Sequence, residues 1–433
     1  MNELAQVTGP VLRPADDGYD AERTGFQRAA AHHPDVIVAA ATPADVTAAV
    51  AYAAARDLPV AVQSSGHGLA TPAAGGVLVS TRRLTGLRVD PGARTVRAEA
   101  GVRWADVIAA AAPYGLAPLN GSAPGVGVAG YTLGGGLGLL ARRFGYAADH
   151  VRAIDVVTPD GRARHVTPDT EPALFWALRG GRDNFGVVTA LELDLVPVTR
   201  VYGGGLYVPA GTDVLEAWHA WTGTVPEEVT SSLALIPFPD VPGVPAPLRG
   251  RHIAHVRVAS TGTAADGERL VAPLRALGPA LIDTLTDMPY TDSAAIYSDP
   301  ADPHAYHGTN ALVGGLDAGA LKTIFERSTG SVVQLRHLGG ALSRTPEHPS
   351  AIGFRDAAYL VSALAGAPEV PAALIGALAP TTRGRFLNYL YGMPADAREL
   401  YEPEAYRRLT ELKAAYDPGA RFGAGRGIAA LGS

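Results

Sequence analysis

The spacing of apolar and polar positions divides the chain into three stretches of different character. In the first, Thr42-Pro43-Ala44-Asp45 is a capping box with proline at the first helical position, and the Ala-rich amphipathic pattern behind it predicts a helix to about Arg56. The apolar run 58–63 predicts a buried strand that ends in the turn Ser64-Ser65-Gly66-His67-Gly68. Alternation at 87–89 and 95–98 around Asp90-Pro91-Gly92-Ala93 predicts a hairpin, and 154–157 with 164–166 around Thr158-Pro159-Asp160-Gly161 predicts another. Residues 104–112 and 174–178 read as short helices, and 187–196 as a long alternating strand. After Pro197 and until about Thr381, strands alternate with amphipathic helices, among them 213–221, 264–277 and 318–325, while 237–247 is a proline-rich loop. Trp218 and Trp221 fall on the first of these helices and read as core. From Arg385 a short strand over 386–391 precedes a helix over 402–415, closed by Tyr416-Asp417-Pro418-Gly419. The expected organisation is α+β in three units: 1–196, 197–384 and 385–433.

One stretch breaks the alternation. Between Val107 and Ala141 there is no charged side chain, yet the run holds 9 Gly and 3 Pro, so it cannot be a regular membrane-spanning helix. Glycine at this density lets backbone N–H groups crowd against a large polar ligand. Within it Gly125-x-Gly127-x-x-Gly130 matches the dinucleotide fingerprint literally, with Asp149 nineteen residues on. That fingerprint needs a strand before it and a helix after it. Here loop-like 113–124 precedes it and Gly134-Gly135-Gly136 follows, so a Rossmann unit is not expected.

Composition narrows the function classes. The 433 residues suffice for two sizeable cores, and a charged fraction of 18% fits a large interior. A net charge of −6 argues against nucleic acid or an anionic membrane as partner. There are no cysteines, which excludes disulfides and thiolate chemistry. Residues 1–20 lack a basic segment followed by an apolar one, so a cytoplasmic enzyme is expected. Oligomeric state is not readable. His304-Ala305-Tyr306-His307 offers two possible metal ligands, but a third is missing and the surroundings read as loop, so no metal is expected.

Five motifs occur in order: Gly66-His67; the glycine-rich wall 121–138; Arg143-Phe144-Gly145-Tyr146-Ala147-Ala148-Asp149; Leu174-Phe175-Trp176-Ala177-Leu178-Arg179-Gly180-Gly181 with Asn184-Phe185-Gly186-Val187-Val188-Thr189; and Tyr406-Arg407-Arg408-Leu409 through Tyr416-Asp417-Pro418 to Phe422. Together they resemble the berberine-bridge-enzyme-like branch of the FAD-linked oxidases, of vanillyl-alcohol-oxidase fold, across roughly half the chain. The resemblance implies a PCMH-type FAD-binding domain of two αβ subdomains, with an inserted α+β substrate domain in which helices cover an antiparallel sheet. It implies that Gln63, Ser64, Ser65, Gly66 and Gly68 form the pyrophosphate turn. His67 matches the histidine that bonds covalently to the flavin, a role open to a neutral imidazole near pH 7; alone, it would read as a hydrogen-bonded turn histidine. Gly121, Ser122, Val126, Gly127, Gly130, Tyr131, Gly135, Gly138, Gly186 and Val188 are the further FAD contacts implied. A second, cysteinyl link often falls at the position of Ala123, so attachment here is through His67 only.

By the same resemblance Asn388-Tyr389 matches a pair whose tyrosine takes a proton from substrate. A phenol needs a cationic or hydrogen-bonded neighbour to act as base near neutrality. Arg336 stands where some relatives carry a glutamate base, and is the expected neighbour; a core role for Tyr389 is the alternative. Arg355 and Tyr359 are weaker candidates for the substrate pocket. The expected activity is an FAD-dependent, O2-using oxidase acting on an alcohol, amine or benzylic carbon of a small natural product or sugar-like substrate. A non-redox cyclase or isomerase, or a non-catalytic binding protein on the same fold, are the alternatives.

Overall fold

The structure is a computed structural model and describes residues 3–69, 71–423 and 428; the end of the expected 385–433 segment, with Met1, Asn2 and Ala70, lies outside the described residues. Three sheets organise them. The first runs Val11–Leu12, Val36–Ala39, Val77–Ser80, Val60–Gln63, the last three parallel. Helix Pro43–Ala55 packs on it, started by the expected capping box: Asp45 N–H donates to Thr42 Oγ1 at 3.3 Å, and the Asp45 carboxylate takes backbone N–H bonds from Thr8, Gly9, Ala41 and Thr42. Strand Val60–Gln63 is the sheet's edge, so the chain leaving it is free to turn outward at Ser64.

The second sheet is antiparallel and ordered Leu87–Asp90, Thr95–Glu99, Val187–Asp194, Val151–Val157, Ala163–Val166, with both expected hairpins at its ends. One apolar cluster unites the two sheets, and includes Val36, Val79, Trp104, Ile154, Phe175 and Leu191. Helix Pro172–Gly181 is longer than the sequence pattern suggests and breaks at Arg179 and Gly180, whose backbone angles are not helical.

The third sheet lies between Arg200 and Gly384, and every pairing in it is antiparallel. Its core strands run Arg200–Pro209, His252–Ser260, Val229–Pro237, Val332–His337, Tyr359–Ala365, His307–Val313. Strict alternation gives it two unlike faces. Val256, Val258, Leu233, Leu235, Val333, Leu335 and Val361 point to a core shared with helix Thr212–Thr222 and its Trp218 and Trp221. The intervening positions hold His255, Arg257, Ser232, Gln334, Arg336 and Ser362, polar side chains on the other face.

The expected strand 386–391 is not formed. Leu387–Tyr389 is a 3-10 turn, because side chains satisfy its backbone groups instead of a ladder. Asn310 Nδ2 donates to the Phe386 and Tyr389 carbonyls, and Asn310 Oδ1 accepts Phe386 N–H at 2.7 Å. Beyond it, helix Pro403–Tyr416 returns to pack on Pro172–Gly181. Its Lys413 is buried and donates to the Asp417 carboxylate (2.6 Å) and to the Asn184 and Phe422 carbonyls.

Candidate active site

A cavity of about 810 Å³ separates the first two sheets from the polar face of the third, a size proper to a bound small molecule or cofactor. Its lining includes Gln63, Ser64, Ser65, Gly66, His67, Gly68, Gly121, Ser122, Val126, Gly127, Gly130, Tyr131, Gly186 and Val188, together with Arg336, Asn388 and Tyr389 from the second half of the chain. Segments separated by more than three hundred residues thus meet in one space.

The turn after Val60–Gln63 is tied to the glycine-rich wall by one hydroxyl. Ser65 Oγ accepts Gly127 N–H at 3.1 Å and lies 2.9 Å from His67 Nδ1. The His67 ring stacks on Phe26, centroids 4.0 Å apart, and His304 meets Phe26 edge-on at 5.5 Å. Burial pushes the His67 imidazole down to about 4, with Arg103 and His304 adding to the effect, so the ring is neutral at pH 7. Gln63 Oε1 and Arg182 Nη1 are buried without a hydrogen-bond partner, and both residues line the cavity. Unsatisfied polar atoms of this kind call for a polar ligand. With the serine turn and the close-set wall, they fit a phosphorylated dinucleotide such as FAD.

The wall itself is built differently from a dinucleotide fold. No strand precedes Gly125, but a short helix, Val128–Leu133, does follow Gly127 and is stopped at Gly134. Several of its glycines serve Tyr131 rather than a ligand. A Cβ on Gly136 would stand 2.6 Å from the Tyr131 ring, and one on Gly138 would stand 3.0 Å from its hydroxyl. Gly135 and Gly138, expected among the cofactor contacts, do not line the cavity: Gly135 faces the Phe386 ring and Gly138 the Asn120 carbonyl. Gly134 makes room for Asn388, whose Nδ2 donates to the Tyr131 carbonyl at 2.8 Å; a Cβ there would lie 2.0 Å from Asn388 Oδ1. This clasp carries the Leu387–Tyr389 turn against the wall.

Beside that turn Arg336 lies over the Tyr389 ring, 5.0 Å from its centroid. Burial pushes the Tyr389 phenol up to about 12, against a lowering pull from Arg336. Arg336 does not bond the Tyr389 hydroxyl: Nη1 donates to the Tyr297 hydroxyl (2.9 Å) and Nη2 to Gln334 Oε1 (2.9 Å). Ser232 Oγ donates to the same Tyr297 hydroxyl at 2.8 Å. Arg257, nearly fully buried, lies 4.4 Å from the Tyr297 centroid and donates from Nε to His255 Nδ1. Phe26, Arg182, Arg257, His255 and Tyr297 line the cavity without having been singled out in the sequence. For the strand residues a signal existed: Ala254-His255-Val256-Arg257-Val258 places two polar residues at every-other positions of an otherwise apolar run.

Two weaker candidates fall elsewhere. Arg355 is paired with Asp149 at 2.6 Å, and Tyr359 packs near Trp218 with its hydroxyl 2.6 Å from Thr222 Oγ1; neither lines the cavity. His304 lines the cavity, whereas His307 Nδ1 lies 3.2 Å from the Gly392 carbonyl oxygen. Among the described residues no group of three or more His, Asp or Glu could hold a metal, and no helix is long and apolar enough to cross a membrane.

Known proteins share this fold. Residues 34–167 match the FAD binding domain family. The chain is 30% identical to (R)-6-hydroxynicotine oxidase of Paenarthrobacter nicotinovorans, over 96% of this chain and 95% of that protein. Its fold matches the crystal structure of 6-hydroxy-D-nicotine oxidase from Arthrobacter nicotinovorans with a TM-score of 0.83 at 27% identity, covering 98% of both chains. Glucooligosaccharide oxidase from Acremonium strictum shares the fold at a TM-score of 0.86 and 20% identity, again over 98% of both chains.

Proposed function

Since this chain belongs to the FAD-linked oxidases of the berberine-bridge-enzyme-like branch, an FAD-dependent oxidoreductase family of PCMH-type α+β fold, we propose that it holds FAD through His67 alone and oxidises a small amine or alcohol with O2. The observation that carries this reading is the single cavity joining the His67 turn to the Tyr389–Arg336 wall. Units 1–196 and 385–433 would supply the cofactor side, and 197–384 the substrate side.

Ser64, Ser65 and the backbone N–H groups of the turn would receive the pyrophosphate, with Arg182 as counter-charge beside Gly68 and Gly130. The neutral His67 ring has a lone pair to offer a flavin methyl, and its stack on Phe26 fixes its orientation. Bound FAD would supply the two-electron acceptor, and O2 the final oxidant. Tyr389 is the proton acceptor, held in place by the Asn388 clasp on Tyr131; burial raises its phenol and Arg336 beside it works against that rise. The aromatic lining, with Tyr207, Phe238, Tyr297 and Tyr391, excludes water and suits a planar substrate.

Intact-mass measurement on acid-denatured protein tests the attachment. The expected result is a mass increase of one FAD, lost in His67→Ala while releasable flavin remains. Quantitative release of FAD from the wild type would overturn the covalent reading, and a colourless wild type the cofactor reading altogether.

A further inference from the structure

The substrate wall carries more positive charge than its surroundings neutralise. Arg257 and Arg336 stand in one row across three neighbouring strands, each paired in register with Ser232 between them. Their guanidiniums converge on one ring, 4.4 and 4.9 Å from the Tyr297 centroid. Neither is in an ion pair with a described carboxylate. The acid acting on both is Asp299, whose Oδ2 accepts the Ser122 hydroxyl. His255, the remaining titratable group of the row, is held neutral by burial and by Arg257 beside it. Two cations, Arg257 buried and Arg336 half-buried, facing one acid leave an excess of one positive charge.

Donors are also left over. Arg257 is 3% exposed, and its Nη1 has no partner; Arg336 Nε has none either. Both residues line the cavity. A buried guanidinium keeps its donors unpaired only at a cost, unless an acceptor from outside takes them. The phosphates of FAD have the serine turn and Arg182, and Arg257 and Arg336 are bonded to neither: their partners are His255, Tyr297 and Gln334.

We propose that Arg257 and Arg336 form an anion subsite, and that the substrate of this oxidase is a planar organic acid bound through a single carboxylate. A monoanion matches the excess charge, and the carboxylate geometry matches a guanidinium fork. Tyr297, bonded to Ser232 and Arg336, holds the two cations at the same level of the cavity. The inference rests on the oxidase reading for the place of the flavin, but the subsite itself is a property of the third sheet.

Benzoate and its neutral isostere benzamide test it on the holoprotein, by calorimetric titration with the flavin absorbance recorded in the same sample. Benzoate is expected to bind at least about tenfold more tightly than benzamide, as a charge-assisted hydrogen bond provides. Arg257→Met should weaken benzoate about ten- to hundredfold and leave benzamide unchanged, with partial recovery in Arg257→Lys. Equal affinity for the two probes, no benzoate binding, or an Arg257→Met variant that binds benzoate as well as wild type would each overturn the subsite. Should that variant fail to fold, the wild-type comparison decides alone. A protein without flavin absorbance overturns the oxidase reading instead, and is distinguished from loss of the subsite by that absorbance.

Discussion

At the scale of single residues, the proposed chemistry rests on one phenol as proton acceptor. Burial raises Tyr389 to about 12 and Arg336 pulls it back. Tyr389→Phe keeps the ring and its packing, so flavin content should hold, while anaerobic bleaching of the flavin by substrate slows by about 10²–10⁴-fold. An unchanged rate in stopped-flow would return Tyr389 to a packing role. Arg336→Met removes the cation that favours phenolate, so the ascending limb of the pH–rate profile should move to higher pH. A profile that stays put would mean Arg336 does not tune the phenol. His67 and Tyr389 were legible because each sits in a short motif. Arg257 shows only as a polar position alternating in an apolar run, and nothing local tells that its strand His252–Ser260 and Tyr297 face one cavity.

At the scale of elements, the C-terminal helix is pinned by its one lysine. Lys413 and Asp417 are fully buried, and Asp417 also accepts the backbone N–H groups of Arg421 and Phe422. Burial lowers the Lys413 ammonium, opposed by Asp417. Lys413→Met would leave a buried carboxylate without its counter-charge, and should cost about 3–5 kcal/mol in urea denaturation. Adding Asp417→Asn should recover part of that loss; no loss in the single variant would show the pair to be dispensable. The helix was readable from the period of 402–415, but the pairing inside it was not. The strand expected over 386–391 failed for a related reason: Asn310, far away in sequence, takes the backbone groups that a ladder would have used.

At the scale of the whole molecule, buried imidazoles link stability to pH. Burial depresses His32 to about 4 and His337 to about 3, and holds His255 well below its ordinary value. The unfolded chain therefore takes up protons first as pH falls below about 6.5. The stability these groups confer is complete above that pH and is lost progressively toward pH 4. For His32, 5% exposed, the loss amounts to ~3 kcal/mol. Urea midpoints should fall from pH 7 to pH 5, and less steeply in His32→Gln. Midpoints that stay level over that interval would show these histidines protonated in the fold or compensated.

Local pattern alone determined part of this protein: the capping box at Thr42, the two hairpins, and the helices over 43–55 and 403–416. These depend on residues within a few positions of each other, where period, caps and turn chemistry act directly. Tertiary structure decided which glycines of the 121–138 wall face the cavity and which make room for Tyr131. It also decided that Arg355 goes to Asp149 and that two arginines from separate strands converge on Tyr297. Burial and electrostatic proximity are properties of the packed chain, and neither is encoded in the spacing of residues along it.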